Sequence, residues 1–458
     1  MLNRISIQDI ILATGGTLIA DGSESSFLLN VNTDTRKIMK GDLFVALKGE
    51  SFDAHNFLDV AIEKGASTLI VQEDRGVTGV NVILVEDTLK ALQDLASYWR
   101  SQLTDRSIGI TGSNGKTSVK DLTAAVLSQK FQTKATLGNF NNHIGLPLTV
   151  LRNSPEDEAT IYEMGMNHPG EIAPLCEICR PYVAVISSIG TAHIEYMKTQ
   201  EAIAQEKGAL PASLPEDGVL IITHDVAQKD ILLGMNKGKL MQVGIEAEGV
   251  DVQASELRSD AIGTTFTLTI GGESAVVNLP LKGRHMVSNA LLAAAVGSVY
   301  QLDVATIAQG LSSVKLTSGR LRQFEHSGHL ILDDTYNANP DSVKAAARTL
   351  KESLNSDQAG YLVLGAMGEL GHLKDEGHRE VGAYGANLDL SVISVGEEAQ
   401  LIYEGAKAQG GFAKHFDKKQ EAIDWMRDNL QEGSQILFKG SRSSAMETVM
   451  SSVFPEQG

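Results

Sequence analysis

The segment TGSNGKT, at residues 111–117, combines the residue types that bind a chain of phosphates. The short apolar stretch SIGI, at residues 107–110, predicts a strand that leads into it, and a helix is predicted from about residue 116 to residue 130. Glycines let backbone N–H groups turn toward one anion, and the start of a helix adds a partial positive charge. We therefore expect ATP contacts from Thr111, Gly112, Ser113, Asn114, Gly115, Lys116 and Thr117.

Two residues of this loop have specific expected roles. Lys116 would reach the β- and γ-phosphates, and the Thr117 hydroxyl would be a ligand of Mg²⁺. The strict pattern for such loops has a glycine five residues before Gly115, where this chain has Ile110, so the loop is a shortened form. A plain glycine-rich turn is the alternative, but the strand before the loop and the helix after it favour a nucleotide site.

A site for ATP and Mg²⁺ also needs side chains that face the metal from the same edge of the sheet. Glu163 ends the apolar run ATIYE, and His193 follows the apolar run VAVISSIG. Ligands of open parallel sheets bind at the carboxyl ends of strands, which is where both residues fall. The alternatives are a solvated strand end for Glu163 and an ordinary loop histidine for His193. Lys207, in EAIAQEKGAL, is by itself typical of a surface charge.

Two further loops are rich in small polar residues. LGNFNNHIGLP covers residues 137–147, and DDTYNANP covers residues 333–340 after the apolar run HLIL. Such loops are often only turns. Because each of these adjoins a predicted strand end, contact with a ligand is at least as good an interpretation. Asp334 is placed to hold a ribose hydroxyl, and Tyr336 offers an aromatic face for a base.

The elements that must position these residues predict an α/β fold with three domains. Continuous apolar runs separated by helical stretches are typical of buried parallel strands. The pattern restarts after about residue 312, with the boundary in the turn-rich segment LTSGRL, and TFTLTIGGESAVVNLPL predicts a hairpin. We assign the domains to residues 1–103, 104–314 and 315–458.

Composition restricts the partners of the chain. A formal net charge of −18, without a long run of Lys and Arg, argues against nucleic acid and against stable association with anionic membranes. No secretory signal and no apolar run of membrane-spanning length is present, so we expect a cytoplasmic enzyme with small-molecule substrates. Cys176 and Cys179 form a C-x-x-C within a predicted amphipathic helix, and we interpret them as structural rather than redox-active or metal-binding.

Together these features resemble the Mur ligases of bacterial cell-wall synthesis over nearly the whole chain. The resemblance lies in nine segments: NTDTRKIMKGDLFVALKGESFDAHNF (32–57), TGSNGKTSVK (111–120), LGNFNNHIGLPLT (137–149), EMGMNHPGEI (163–172), KGRHMVSNALLAAA (282–295), GRL (319–321), DDTYNANPDSV (333–343), VLGAMGELG (363–371) and FKGSRSSAME (438–447). The segments at 137–149 and 163–172 favour the family member that adds D-alanyl-D-alanine.

The resemblance implies roles for residues that spacing alone leaves open. It implies a small α/β UDP-sugar domain, a central ATPase domain with a parallel sheet, and a C-terminal Rossmann-like domain. Glu163 and His193 match the family's Mg²⁺ positions, and two Mg²⁺ ions are implied. Lys207 matches a lysine that several members carbamylate with CO₂. The implied ATP contacts also include Asn289, Arg320, Asp334 and Tyr336, and the implied substrate contacts are Thr35, Arg36 and Asn142.

The reaction that the resemblance implies is an ATP-dependent ligation through an acyl phosphate. UDP-N-acetylmuramoyl-tripeptide would supply the carboxylate and D-alanyl-D-alanine the amine, in a chain that works as a monomer. Related ligases that add lysine, diaminopimelate or glutamate are alternatives, as is a binding protein that uses ATP only as a switch. Three places in the chain depart from the family pattern: the pair Thr223-His224, Ala366 and Ser118.

Overall fold

The computed structural model describes residues 5–22, 27–28, 30–260, 263–317 and 319–455. The predicted boundary segment LTSGRL includes Ser318, which lies outside this description. The described chain forms three large sheets and one two-stranded sheet, with helices between the strands, so the predicted α/β fold class is confirmed. No helix in the described ranges is long and apolar enough to cross a membrane.

The first sheet has five strands in the order β2-β7-β6-β5-β4. Its first pair is antiparallel and the rest are parallel, while β1 pairs separately with β3. The opening helix begins at a capping box, in which Ser6 and Asp9 satisfy each other's backbone N–H groups. The elements are β1 (Ile5–Ser6), α1 (Ile7–Thr14), β2 (Thr17–Ala20), β3 (Phe27–Leu28), β4 (Val31–Asn32), β5 (Leu43–Val45), α2 (Leu58–Glu63), β6 (Thr68–Val71), β7 (Asn81–Leu84) and α3 (Thr88–Arg100).

The central sheet has nine strands in the order β16-β15-β14-β13-β12-β11-β8-β10-β9. From β14 to β9 along this order, all neighbouring strands are parallel. At the other end, β14, β15 and β16 are antiparallel, and β15 and β16 form the predicted hairpin. The strands are β8 (Ser107–Thr111), β9 (Thr133–Ala135), β10 (Ala159–Glu163), β11 (Val183–Ile186), β12 (Val219–Thr223), β13 (Lys239–Ile245), β14 (Val252–Ser259), β15 (Thr264–Ile270) and β16 (Glu273–Leu279). The helices are α4 (Lys116–Leu127), α5 (Gly145–Arg152), α6 (Ile172–Cys179), α7 (Ile194–Met197), α8 (Gln200–Ala212), α9 (Lys229–Met235), α10 (Arg284–Val299) and α11 (Val304–Ser312).

The third sheet has six strands in the order β17-β18-β22-β19-β20-β21. All neighbours are parallel except β17 and β18, and the last strand of the chain lies between β18 and β19. The elements are β17 (Arg322–His326), β18 (His329–Asp334), α12 (Pro340–Ser353), β19 (Gly360–Gly365), α13 (Lys374–Asn387), β20 (Ser391–Val395), α14 (Gln400–Ala408), β21 (Ala413–Phe416), α15 (Lys419–Asn429), β22 (Gln435–Lys439) and α16 (Met446–Val453).

Helix α3 joins the first sheet to the central one through a shared apolar core. Leu92 and Trp99 belong to the same buried cluster as Leu146 and Cys176 of the central helices. At the end of α3, Arg100 Nε donates to the carbonyl oxygen of Cys179 at 2.6 Å. Cys176 and Cys179 are free and buried on α6, as the structural interpretation requires.

Candidate active site

A cavity of about 640 Å³ lies where the carboxyl ends of the central strands face the C-terminal sheet. Parallel sheets bind ligands at this edge because the strands end in loops there. Most of the residues predicted from the sequence line the cavity. They are Ser113, Asn114, Gly115, Lys116, Thr117, Asn142, Glu163, His193, Asn289, Arg320, Asp334 and Tyr336.

The phosphate loop is held in place by the loop that follows β11. The backbone N–H of Ser113 donates to the Ser188 carbonyl, and that of Asn114 donates to the Ser188 hydroxyl, both at 2.9 Å. These two N–H groups therefore already have partners, and Thr111 and Gly112 are not among the described lining residues of the cavity. Gly115 has φ +82°, and a Cβ there would come within 2.8 Å of Asn289, so this position requires glycine.

Lys116 begins α4, and its Nζ donates to the carbonyl oxygen of Gly112 at 2.7 Å. Burial lowers the pKa of Lys116, while the carboxylate of Glu163 acts in the opposite direction. An ammonium group that is withdrawn from water in this way interacts strongly with an anion that enters the cavity. The position suits the predicted contact with phosphate.

Glu163 is buried at the end of β10, and only one of its two oxygens has a partner. Oε1 accepts a hydrogen bond of 2.8 Å from Asn141 Nδ2. Oε2 is buried, and none of the described residues forms a hydrogen bond with it. An unsatisfied buried carboxylate oxygen is costly, and a cation is the partner that would satisfy it. Glu163 therefore fits the predicted role of a Mg²⁺ ligand.

His193 lines the same cavity from the start of α7. Its Nδ1 lies 2.5 Å from Oε2 of Glu369, a residue of the loop that follows β19. This hydrogen bond lowers the pKa of Glu369, so the carboxylate is ionised at neutral pH. Among the described residues, no group of three or more His, Cys, Asp or Glu side chains could hold a metal. A metal at Thr117, Glu163 and His193 would therefore need phosphate oxygens and water as its remaining ligands.

Lys207 is almost completely buried on α8, which contradicts its simplest interpretation as a surface charge. Within the described ranges, its Nζ has no hydrogen-bond or ion-pair partner. Burial, together with the nearby positive charge of Lys116, lowers the pKa of Lys207 well below its ordinary value. An uncharged amine is the form that this environment favours.

The residues predicted to contact ribose and base already interact with other side chains of the protein. Lys439 Nζ lies 2.5 Å from Oδ2 of Asp334 and also donates to the Asn337 carbonyl. The guanidinium of Arg320 lies over the Tyr336 ring, 4.1 Å from its centre, so one face of the predicted base contact is covered. Arg320 Nε is buried and has no partner among the described residues, as expected of a group that awaits an anion.

The predicted substrate contacts are not brought together. Asn142 lines the cavity, but its Oδ1 accepts hydrogen bonds from the N–H groups of Ile144 and Gly145 at the start of α5. Thr35 and Arg36 lie in the first domain and outside the described lining of the cavity. The Arg36 side chain is 86% exposed and pairs with Asp34, so nothing in its own surroundings fixes it for a ligand.

Several polar residues of the site were not predicted from the sequence. Each forms a side-chain hydrogen bond with a predicted residue: Asn141 with Glu163, Lys439 with Asp334, and Glu369 with His193. One feature of the sequence could have indicated Lys439, because it ends an apolar strand just as Asp334 does. The pairing of β18 with β22, which places these two residues side by side, is not visible in the sequence.

Comparisons with known proteins agree with this arrangement. Three family models match the chain: the Mur ligase family, catalytic domain at residues 29–100, the Mur ligase middle domain at residues 110–297, and the Mur ligase, glutamate ligase domain at residues 319–442. The chain is 38% identical over 458 aligned residues to the UDP-N-acetylmuramoyl-tripeptide–D-alanyl-D-alanine ligase of Bacillus subtilis (strain 168), with 98% of each chain covered. The chain belongs to the Mur ligase family.

Solved structures of Mur ligases share the fold of the whole chain. The crystal structure of MurF from Acinetobacter baumannii matches with a TM-score of 0.91 and 32% identity, over 99% of this chain and 100% of that one. MurF ligase from Thermotoga maritima, in complex with ADP, matches with a TM-score of 0.81 and 28% identity, over 93% and 96% of the two chains. The predicted family and its three-domain α/β fold are thus confirmed, while the domain boundaries and the roles of individual site residues stay predictions.

Proposed function

We propose that this Mur ligase uses ATP to join D-alanyl-D-alanine to the carboxylate of UDP-N-acetylmuramoyl-tripeptide, forming ADP and phosphate. The observation that carries this proposal is the 38% identity, over 98% of both chains, with a ligase whose name states these substrates. The cavity supports it, because its lining combines a phosphate loop with acidic and basic side chains that have unsatisfied atoms. The product would be a precursor of peptidoglycan.

The first step activates the carboxylate. An amine does not readily attack a carboxylate, because the negative charge makes the carbon a poor electrophile. A carboxylate oxygen of the tripeptide therefore attacks the γ-phosphorus of ATP, the bond to the β-phosphate oxygen breaks, and ADP leaves. Catalysis of this transfer depends on positioning and on neutralising charge. Lys116 and Arg320 are the cations of the cavity that are suited to the phosphates.

The second step forms the peptide bond. The free amine of D-alanyl-D-alanine attacks the acyl carbon, the bond between that carbon and the phosphate oxygen breaks, and inorganic phosphate leaves. The acyl phosphate must be kept from water, since hydrolysis would waste the ATP. The C-terminal domain contributes Arg320, Asp334 and Tyr336 to the cavity, so its contact with the central domain covers the reacting groups.

Mg²⁺ is the metal that we assign to this cavity, with two ions as the proposed number. When bound, it would neutralise charge on the transferred phosphate and orient its oxygens. The residues that would hold it are Thr117, Glu163 and His193, and the unpartnered Oε2 of Glu163 is the observation that favours this set.

We also propose that Lys207 is carbamylated. Its Nζ, uncharged because of its burial, would add to CO₂ and release a proton, giving a carbamate that carries one negative charge. That change would replace a buried neutral amine by an anion, beside Lys116 and the proposed metal. The structure of the neighbourhood favours the modification because an ammonium at this position has no partner among the described residues.

The other parts of the proposal concern the domains and their surroundings. The first domain, at residues 1–103, would bind the UDP-sugar through Thr35 and Arg36, and Asn142 would face the muramoyl peptide. The central domain, at 104–314, and the C-terminal domain, at 315–458, would hold ATP between them. We further propose that the enzyme acts as a monomer in the cytoplasm.

One assay tests the reaction and its alternatives. The protein is supplied with ATP, Mg²⁺ and UDP-N-acetylmuramoyl-tripeptide, and phosphate release is measured with D-alanyl-D-alanine, lysine, diaminopimelate or glutamate. We expect release that depends on both the carboxylate substrate and D-alanyl-D-alanine. Release with another of these amines would instead identify a related ligase, and release without any amine would refute a ligase and indicate a nucleotide-driven switch.

A further inference from the structure

Glu369 reaches the predicted metal site from the C-terminal domain. It belongs to the loop after β19, and its Oε2 lies 2.5 Å from Nδ1 of His193 in the central domain. His193 lines the cavity, whereas Glu369 is not among the lining residues that the structure describes. The carboxylate therefore contacts the imidazole through Nδ1 without being part of the described lining of the cavity.

The loop that carries Glu369 rests on the segment that carries His193. The Glu195 N–H donates to the Glu369 carbonyl oxygen at 3.1 Å. Gly371 approaches so closely that a Cβ there would lie 2.9 Å from the Glu195 Cα. Three contacts, one between side chains and two between backbones, thus fix Glu369 against residues 193–195. A chance encounter of two flexible side chains would lack the backbone contacts.

The chemistry of imidazole gives this contact a consequence. A neutral histidine has one N–H and one lone pair, and an ionised carboxylate can only accept a hydrogen bond. The carboxylate of Glu369 therefore keeps the proton of His193 on Nδ1. The lone pair is then on Nε2, the atom on the opposite side of the ring, and Nε2 is available to a cation. Carboxylates that orient metal-binding histidines in this way raise metal affinity by about 10–100-fold.

We propose that Glu369 is a positioning residue that holds His193 in the Nδ1–H form, with Nε2 available to a metal in the cavity. The inference rests on the proposed metal role of His193. Because Glu369 and His193 belong to different domains, docking of the C-terminal domain completes the orientation of this ligand. The metal site and the closed arrangement of the two domains therefore depend on each other.

The first test measures metal affinity directly. Free Mn²⁺ is quantified by electron paramagnetic resonance during titration of the protein at a fixed, saturating concentration of ADP. We expect Glu369→Ala to weaken Mn²⁺ binding by about 10–100-fold. Glu369→Gln keeps an oxygen that accepts from Nδ1–H and should lose less. Glu398, an exposed glutamate of the same domain that pairs with Lys374, supplies the control Glu398→Ala, which should bind Mn²⁺ like the unaltered protein.

The outcomes separate this inference from the proposed function. If His193→Ala weakens Mn²⁺ binding but Glu369→Ala does not, the positioning role is refuted and the metal role of His193 stands. If His193→Ala also binds Mn²⁺ normally, both are refuted. A loss with Glu398→Ala equal to that with Glu369→Ala would show general loosening of the domain and would also refute the positioning role.

The second test needs no metal. In protein with ¹⁵N-labelled histidine, two-bond ¹⁵N–¹H correlations distinguish the two tautomers, and the signals of His193 are those that His193→Ala removes. We expect the Nδ1–H form in the unaltered protein and in Glu369→Gln, and a shift toward the Nε2–H form in Glu369→Ala. An unchanged tautomer in Glu369→Ala would overturn the proposal, whatever the stability of that variant.

Discussion

Replacement of Lys116 by methionine should separate catalysis from stability. Methionine is similar in length to lysine and has no charge. Removal of one preorganised group that stabilises developing negative charge typically costs about 10²–10³-fold in turnover, or about 2.7–4 kcal/mol. Lys116 is a half-buried cation at the start of a helix, so we expect a loss in kcat/KM at or above the upper end of this range.

The stability of Lys116→Met at pH 7 should equal or moderately exceed that of the unaltered protein. The variant loses the hydrogen bond from Nζ to the Gly112 carbonyl, a charged bond worth about 1.5–3 kcal/mol. It also avoids burying an ammonium group, which costs several kcal/mol. The two effects oppose each other, so we expect a net change between zero and about 2 kcal/mol in favour of the variant. In a domain of this size, that corresponds to a rise in Tm of up to about 8 °C.

The lowered pKa of Lys116 also predicts how the difference in stability between the two proteins changes with pH. Because the pKa of Lys116 is lower in the folded protein than in the unfolded chain, the unfolded chain binds more protons between those two values. The unaltered protein therefore gains stability as pH rises through that window, and below it the burial penalty is fully present. The advantage of Lys116→Met in Tm should be largest near neutral pH and should shrink toward pH values near the ordinary pKa of lysine.

The assays are phosphate release with all three substrates, and Tm by scanning calorimetry at several pH values. Lys120 provides the matched control, since it is a buried lysine of the same helix whose Nζ donates to the Thr136 carbonyl and pairs with Asp121. Lys120→Met should therefore lower Tm while the folded fraction keeps its turnover. Ligation by Lys116→Met within about tenfold of the unaltered rate would refute the assignment of this loop, given the expected loss.

Three further predictions concern other parts of the site and the core. Lys207→Ala should be inactive and partly rescued by short-chain carboxylic acids; full activity without them would show that no carbamate is needed. Arg320→Ala should raise KM for ATP by about 10–100-fold, as the loss of a charged hydrogen bond of about 1.5–3 kcal/mol implies, and unchanged ATP kinetics would contradict the nucleotide contact. Burial raises the pKa of Cys176 to about 12 and that of Cys179 in the same direction, so both thiols should resist alkylation at pH 8 until the protein is unfolded; rapid alkylation of the native protein, followed by mass spectrometry, would contradict their burial.

The sequence predicts the parts of the fold that depend on local pattern. The parallel strands β8, β10 and β11 are continuous apolar runs, and both their faces are buried, so their sequence shows them directly. Strand β9 has the sequence Thr-Lys-Ala and lies at the edge of the sheet, where one side needs no apolar neighbour. The sequence did not predict β9, nor did it predict β13 and β14, which contain polar positions. These segments are strands because of the neighbours they pair with, and their own residues show no clear strand pattern.

The same distinction applies to the predicted site: some of its features depend on residues that are close in the sequence, and others on residues that only the fold brings together. The sequence by itself was enough to predict the phosphate loop, since its glycines, Lys116 and Thr117 are contiguous and lie between a strand and a helix. It also indicated Glu163 at the end of a strand and His193 in the segment that follows one. Only the tertiary structure decided that Lys207 is buried and that the Glu369 carboxylate contacts the His193 ring. Burial and pairing arise from elements that are far apart in the chain, and the energy of a charged group depends on those neighbours more than on its position in the sequence.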